Sequence, residues 1–86
     1  MPEICRFYGI IIKMYLNDHS PPHFHAEYAE HEAVMHIETL AVIAGNLPSR
    51  ALGLTVEWAS LHQNELRNLW QRARNHESLD KLDPLQ

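Results

Sequence analysis

The chain has 86 residues, of which 45% are hydrophobic and 21% charged, and its formal net charge is -4. That length supports one modest core and excludes a second domain, so residues 1–86 are expected to form a single unit. The negative balance excludes broad binding to a phosphate backbone, which draws on many Lys and Arg side chains.

A lone cysteine, Cys5, excludes an intrachain disulfide and fits a reducing cytoplasm. The apolar run from Phe7 to Ile12 stops at Lys13, too short to span a bilayer and without the layout of a signal peptide. A cytoplasmic protein without membrane association is therefore expected.

Residues 6–16, RFYGIIIKMYL, are rich in β-branched and aromatic types. Tyr8, Ile10, Ile12, Met14 and Leu16 form an apolar set at period two, which predicts one strand over 6–16. Asn17 to Pro22 break it, because proline removes a donor and pushes the preceding residue toward extended geometry.

The next stretch, HFHAEY, alternates Phe24, Ala26 and Tyr28 on one face with His23, His25 and Glu27 on the other. In HEAVMHIET the apolar face is Ala33, Met35 and Ile37, with Glu32, Val34, His36 and Glu38 opposite. A hairpin over 23–39 brings both apolar sets to one core only if Ala26 lies opposite Ala33, since a slip of one residue reverses a strand. That register sets His23 against His36, His25 against Val34 and Glu27 against Glu32.

LAVIA predicts a short strand over 40–44, closed by Gly45-Asn46. Pro48 opens a helix expected to run to Asn75, with Leu54, Trp58, Leu61, Leu66, Leu69 and Trp70 at helical spacing. At about 1.5 Å per residue such a helix is about 42 Å long, longer than the roughly 30 Å diameter of so small a globule. It must break, overhang or pack on a second copy in a homodimer. The tail, residues 78–86, reads as extended, with Leu79, Leu82 and Leu85 free to lie back on the sheet. The expected class is α+β, a small antiparallel sheet of about four strands on one long C-terminal helix.

Three readings of the polar ribbon face stay open. Imidazole and carboxylate suit a borderline divalent ion such as zinc, with His23, His25, Glu27 and His36 as ligands. The same imidazoles titrate near neutrality, so His23, His25 and His36 can also serve as acid and base in phosphodiester cleavage without a metal. The third reading is a solvated outer face of an antiparallel sheet.

Elsewhere, His62 and Glu65 share a helix face near Trp58, as a metal half-site or a solvent-side pair. Arg67, Arg72 and Arg74 gather with Trp70 at the helix C-terminus, where they complement the dipole or meet RNA or an acidic partner. Asp18 reads as a turn former able to orient an imidazole, and Cys5 as a small buried residue. No helix-turn-helix with a basic recognition helix is present.

The opening MPEICRFYGIIIKMY, the block DHSPPHFHAEY and the helix TVEWASLHQNELRNLW together resemble a small bacterial family, domain of unknown function 4160. The string is carried by Asp18, His19, Pro21, Pro22, His23, Phe24, His25, Ala26 and Tyr28, and Glu57-Trp58 and Glu65-Leu66-Trp70 add weaker signals. One departure is Cys5, where a small polar residue is expected. The resemblance implies a pairing with a second small protein of the domain of unknown function 2442 type, in a type II toxin-antitoxin module with the present family as toxin. It brings no catalytic residues with it. The expectation is a toxin-like protein acting on RNA through its histidine face. The alternative is a non-catalytic metal-binding or protein-interaction module, a regulator included.

Overall fold

The computed structural model describes residues 3–16 and 18–86. Five strands form one antiparallel sheet in chain order: β1 (Glu3–Phe7), β2 (Ile10–Lys13), β3 (His23–Tyr28), β4 (His31–His36) and β5 (Val42–Gly45). Two helices follow, α1 (Ser49–Leu61) and α2 (Gln63–Arg74). The class is α+β as expected, with five strands in place of four and two helices in place of one.

The expected strand over 6–16 is two strands, because Tyr8 and Gly9 both take positive φ, 49° and 81°, and close a two-residue hairpin turn between Phe7 and Ile10. Such a turn matches the right-handed twist of its strands, and glycine enters it without steric cost. Tyr8, counted in the apolar set, is therefore 61% exposed at the turn, while Ile10, Ile12 and Met14 are buried.

The β3–β4 hairpin has the expected register, with Ala26 on Ala33, His23 on His36, His25 on Val34 and Glu27 on Glu32. Its turn is Ala29-Glu30, an even-length loop that keeps Phe24, Ala26, Ala33 and Met35 on one face, all fully buried. β5 pairs with β4 through an irregularity beside Met35, and all four of its residues are exposed. Gly45 closes it at φ 71°. A Cβ there would lie 2.1 Å from the Glu32 carbonyl oxygen.

The long helix breaks at His62, whose φ of -123° leaves the helical region. The fold measures 33 Å along its longest axis, so an unbroken helix over 48–75 would project beyond it. The break is held from both sides. The His62 ring packs on Trp58 at 5.1 Å and its Nδ1 meets Glu65, while the Gln63 amide donates to the carbonyls of Ile37 and Glu38. α2 can then lay Leu66, Leu69, Trp70 and Ala73 into the core. Leu69 and Trp70 are buried within their own chain.

The tail runs back along β1. Leu82 N–H donates to the Ile4 carbonyl at 2.8 Å, and Trp58 Nε1–H donates to the Asp83 carbonyl at 2.8 Å. That same carbonyl also accepts from Cys5 Sγ, and burial pushes the Cys5 thiol pKa up, so this cysteine is a packed core residue.

Gly45→Ala is expected to destabilise the protein by about 3 kcal/mol, from a left-handed backbone combined with overlap on Glu32. A urea midpoint equal to that of wild type would contradict this account.

Candidate metal centre

Asp18, His23 and His25 each bring one ligand atom within 4.8 Å of the other two. Among the described residues they are the only group of three or more His, Cys, Asp or Glu side chains to converge in this way. β3 supplies the two histidines at alternate positions, so both leave the strand on the side away from Phe24 and Ala26. Asp18 comes from the loop ahead of β3, where its Oδ1 accepts the His19 N–H at 2.8 Å.

The hydrogen bonds fix what each ring nitrogen offers. His23 Nδ1 lies 2.7 Å from the Pro21 carbonyl oxygen, which can only accept, so Nδ1 carries a proton. His25 Nδ1 lies 3.2 Å from Glu32 Oε2, again an acceptor when ionised. Both rings turn Nε2 toward Asp18 Oδ2, at 2.9 Å from His23 and 3.4 Å from His25. With Nδ1 on an acceptor and Nε2 on a carboxylate, each ring meets Asp18 through a shared cation at Nε2, either a proton or a metal ion that replaces it.

The spacing suits a metal. Bonds of about 2.0–2.1 Å separate neighbouring ligand atoms by about 2.9 Å at a right angle and about 3.3 Å at the tetrahedral angle. The two observed distances match those edges. A backbone carbonyl on one imidazole and a carboxylate on the other also make up the outer support that orients metal-bound histidine.

Packing holds the rings. His23 is nearly buried against Trp70 of α2, with ring centroids 5.1 Å apart, and the Tyr15 ring meets His25 edge-on at 4.7 Å. Burial opposes the charge on Asp18, but the hydrogen bonds from His19, His23 and His25 outweigh it and hold its pKa below the ordinary value of 3.8.

The other two ligands named from sequence, Glu27 and His36, lie apart from this centre. Glu27 pairs with Lys13 at 2.9 Å, and Glu32 with His25, so the two facing carboxylates are each compensated. His36 sits across from His23, but its Nδ1 accepts the Glu38 N–H at 3.0 Å and serves the turn after β4. His62 and Glu65 contact each other without a third ligand among the described residues.

The arginine group divides. Arg67 makes two bonds to Glu38, at 2.6 and 2.8 Å, which hold the Glu38 pKa down. Arg72 is taken by Asp80 and the Ser78 carbonyl, and Trp70 is buried, so neither it nor Arg67 presents a free group to a partner. Arg74 alone reaches the site, donating to Ser20 Oγ at 3.3 Å. Asp18 is the site residue that strand alternation did not supply: it lies in a loop, and its spacing of five and seven residues from the histidines was the available signal.

A family model described as domain of unknown function (DUF4160) matches residues 9–71. The chain belongs to that family. No curated protein and no solved structure matches it. The matched span contains all three converging residues and Trp70, while β1 and the tail that pairs with it fall outside. No helix among the described residues is long and apolar enough to cross a membrane.

A carboxylate whose folded pKa is lowered contributes stability that is fully present above its unfolded value and lost as pH falls through the folded one. Asp18 is such a group. Wild type is therefore expected to lose stability below pH 3.8 more steeply than Asp18→Asn, and parallel profiles from pH 5 to 2 would remove Asp18 from this role.

Proposed function

We propose that this DUF4160 protein binds a borderline divalent ion, zinc or a neighbouring first-row metal, through Asp18 Oδ2, His23 Nε2 and His25 Nε2. The observation that carries this reading is the convergence of both Nε2 atoms on one carboxylate oxygen at coordination-edge spacing, with each Nδ1 turned to an outer acceptor, Pro21 or Glu32. Three protein ligands leave positions open for water or substrate, as in catalytic rather than closed structural sites. A metal there would lower the pKa of a bound water toward neutrality and supply a nucleophile for hydrolysis.

Protein purified without a histidine tag is expected to take up one zinc per chain and to melt at higher temperature with it. His25→Ala and Asp18→Asn are each expected to weaken zinc by about a hundredfold or more, and Glu32→Gln by about tenfold. Because a proton and a metal ion compete for the same imidazole nitrogen, affinity should fall as pH is lowered. Titration of the wild type at pH 7.5 without heat or stoichiometric uptake would rule the centre out.

A second reading concerns the biological role. We propose a toxin-like member of a two-protein module in the cytoplasm, neutralised by a small partner of the domain of unknown function 2442 type and acting on RNA. It rests on the resemblance given under Sequence analysis, together with the proposed centre, whose open positions would suit phosphodiester hydrolysis. Expression of the chain alone should arrest growth, the partner gene should relieve the arrest, and His25→Ala should abolish it with the fold retained by circular dichroism. Normal growth on expression of the wild type alone would set this role aside and leave the metal-binding module.

A further inference from the structure

Around the proposed centre, two features converge that metal binding does not need. The last turn of α2 lies over the loop that carries Asp18: Trp70 packs on His23, and Arg74, one turn later, reaches Ser20, midway between Asp18 and His23. Arg74 is exposed and makes no ion pair among the described residues, whereas Arg67 and Arg72 are held by carboxylates. Its guanidinium stands as an uncommitted cation beside the centre.

Next to it in the chain, a cavity of about 560 Å³ opens between the segment after β2 and the segment after α2, lined by Tyr15, Leu16, His76, Glu77 and Leu79 among others. Tyr15 belongs to both places, since it lines the cavity and its ring meets His25 edge-on. Cavities of this size accept small organic ligands.

We infer that the site takes a nucleoside phosphate, as a free nucleotide or as the end of an RNA strand. This rests on the metal reading given under Proposed function. The phosphate belongs on the side of the centre and Arg74, where a divalent ion and a guanidinium carry more positive charge than Asp18 cancels. The base belongs in the cavity, where the Tyr15 and His76 rings offer planar contact. Glu77 in that wall, 3.9 Å from Arg72, accepts hydrogen bonds from an exocyclic amino group, which sets the direction in which the ligand lies.

The test titrates zinc-loaded protein, freed of excess metal, with inorganic phosphate, adenosine monophosphate and a five-nucleotide RNA bearing a 5′-phosphate. Both nucleotide ligands should bind at least about tenfold tighter than inorganic phosphate. Arg74→Gln should weaken all three by about tenfold while zinc affinity stays at the wild-type value. Tyr15→Ala should weaken the two nucleotide ligands and leave inorganic phosphate unchanged. RNA bound more tightly than adenosine monophosphate would identify a strand end as the ligand, and equal affinity a free nucleotide.

Both side chains are exposed, and unaltered circular dichroism melts will show that the variants fold. Phosphate affinity indifferent to Arg74→Gln, or adenosine monophosphate bound no better than phosphate, overturns the inference and leaves the metal centre standing. Failure of the wild type to bind zinc overturns the metal centre and this inference with it.

Discussion

Side chains alternate along a strand, so the pairing of Ala26 with Ala33 settles in one step which residues enter the core and which ring nitrogens face the Asp18 loop. A shift by one residue would reverse one of the two strands, sending either Phe24 into water with His25 in the core, or Met35 into water with Val34 in the core. Burial of a Phe, Met, Ile or Val side chain is worth about 1.5–3 kcal/mol, so several such side chains oppose the slip. The imidazoles are held in place by apolar contacts made on the far side of the sheet.

The same economy governs the helices. A 28-residue amphipathic pattern cannot stay straight on a fold 33 Å long, and the break at His62 lets both halves follow the sheet. α1 covers β1 and the tail side through Trp58, and α2 brings Trp70 to His23. Trp70 is thus part of the site by packing, and Arg74 reaches the Ser20 loop because it follows Trp70 by one turn. The core and the proposed centre share one helix.

Charge is distributed sparingly. Most cations of the chain are matched locally: Arg6 with Glu3, Lys13 with Glu27, Arg67 with Glu38 and Arg72 with Asp80. Exposed pairs of this kind add little stability, but they silence charges that would otherwise compete for ligands. Glu27 and Glu32 face each other on one side of the hairpin and would repel. Lys13 takes one and the His25 Nδ1–H the other, so relief of that repulsion also fixes the tautomer of His25.

Strand alternation and the requirement for a single core determined the α+β class, the β3–β4 register and the shared face of His23 and His25, because these depend on local period and on burial of one apolar set. Three things were decided only in three dimensions. Tyr8-Gly9 became a turn because β2 had to reverse and pair with β1, where an apolar run alone permits one long strand. His36 and Glu27, legible as ligands by parity, were drawn off by Glu38 N–H and Lys13, partners that no spacing in the chain announces. Asp18 replaced them because a loop has no period, and its approach to both Nε2 atoms exists only once the chain between it and β3 has folded back over the strand.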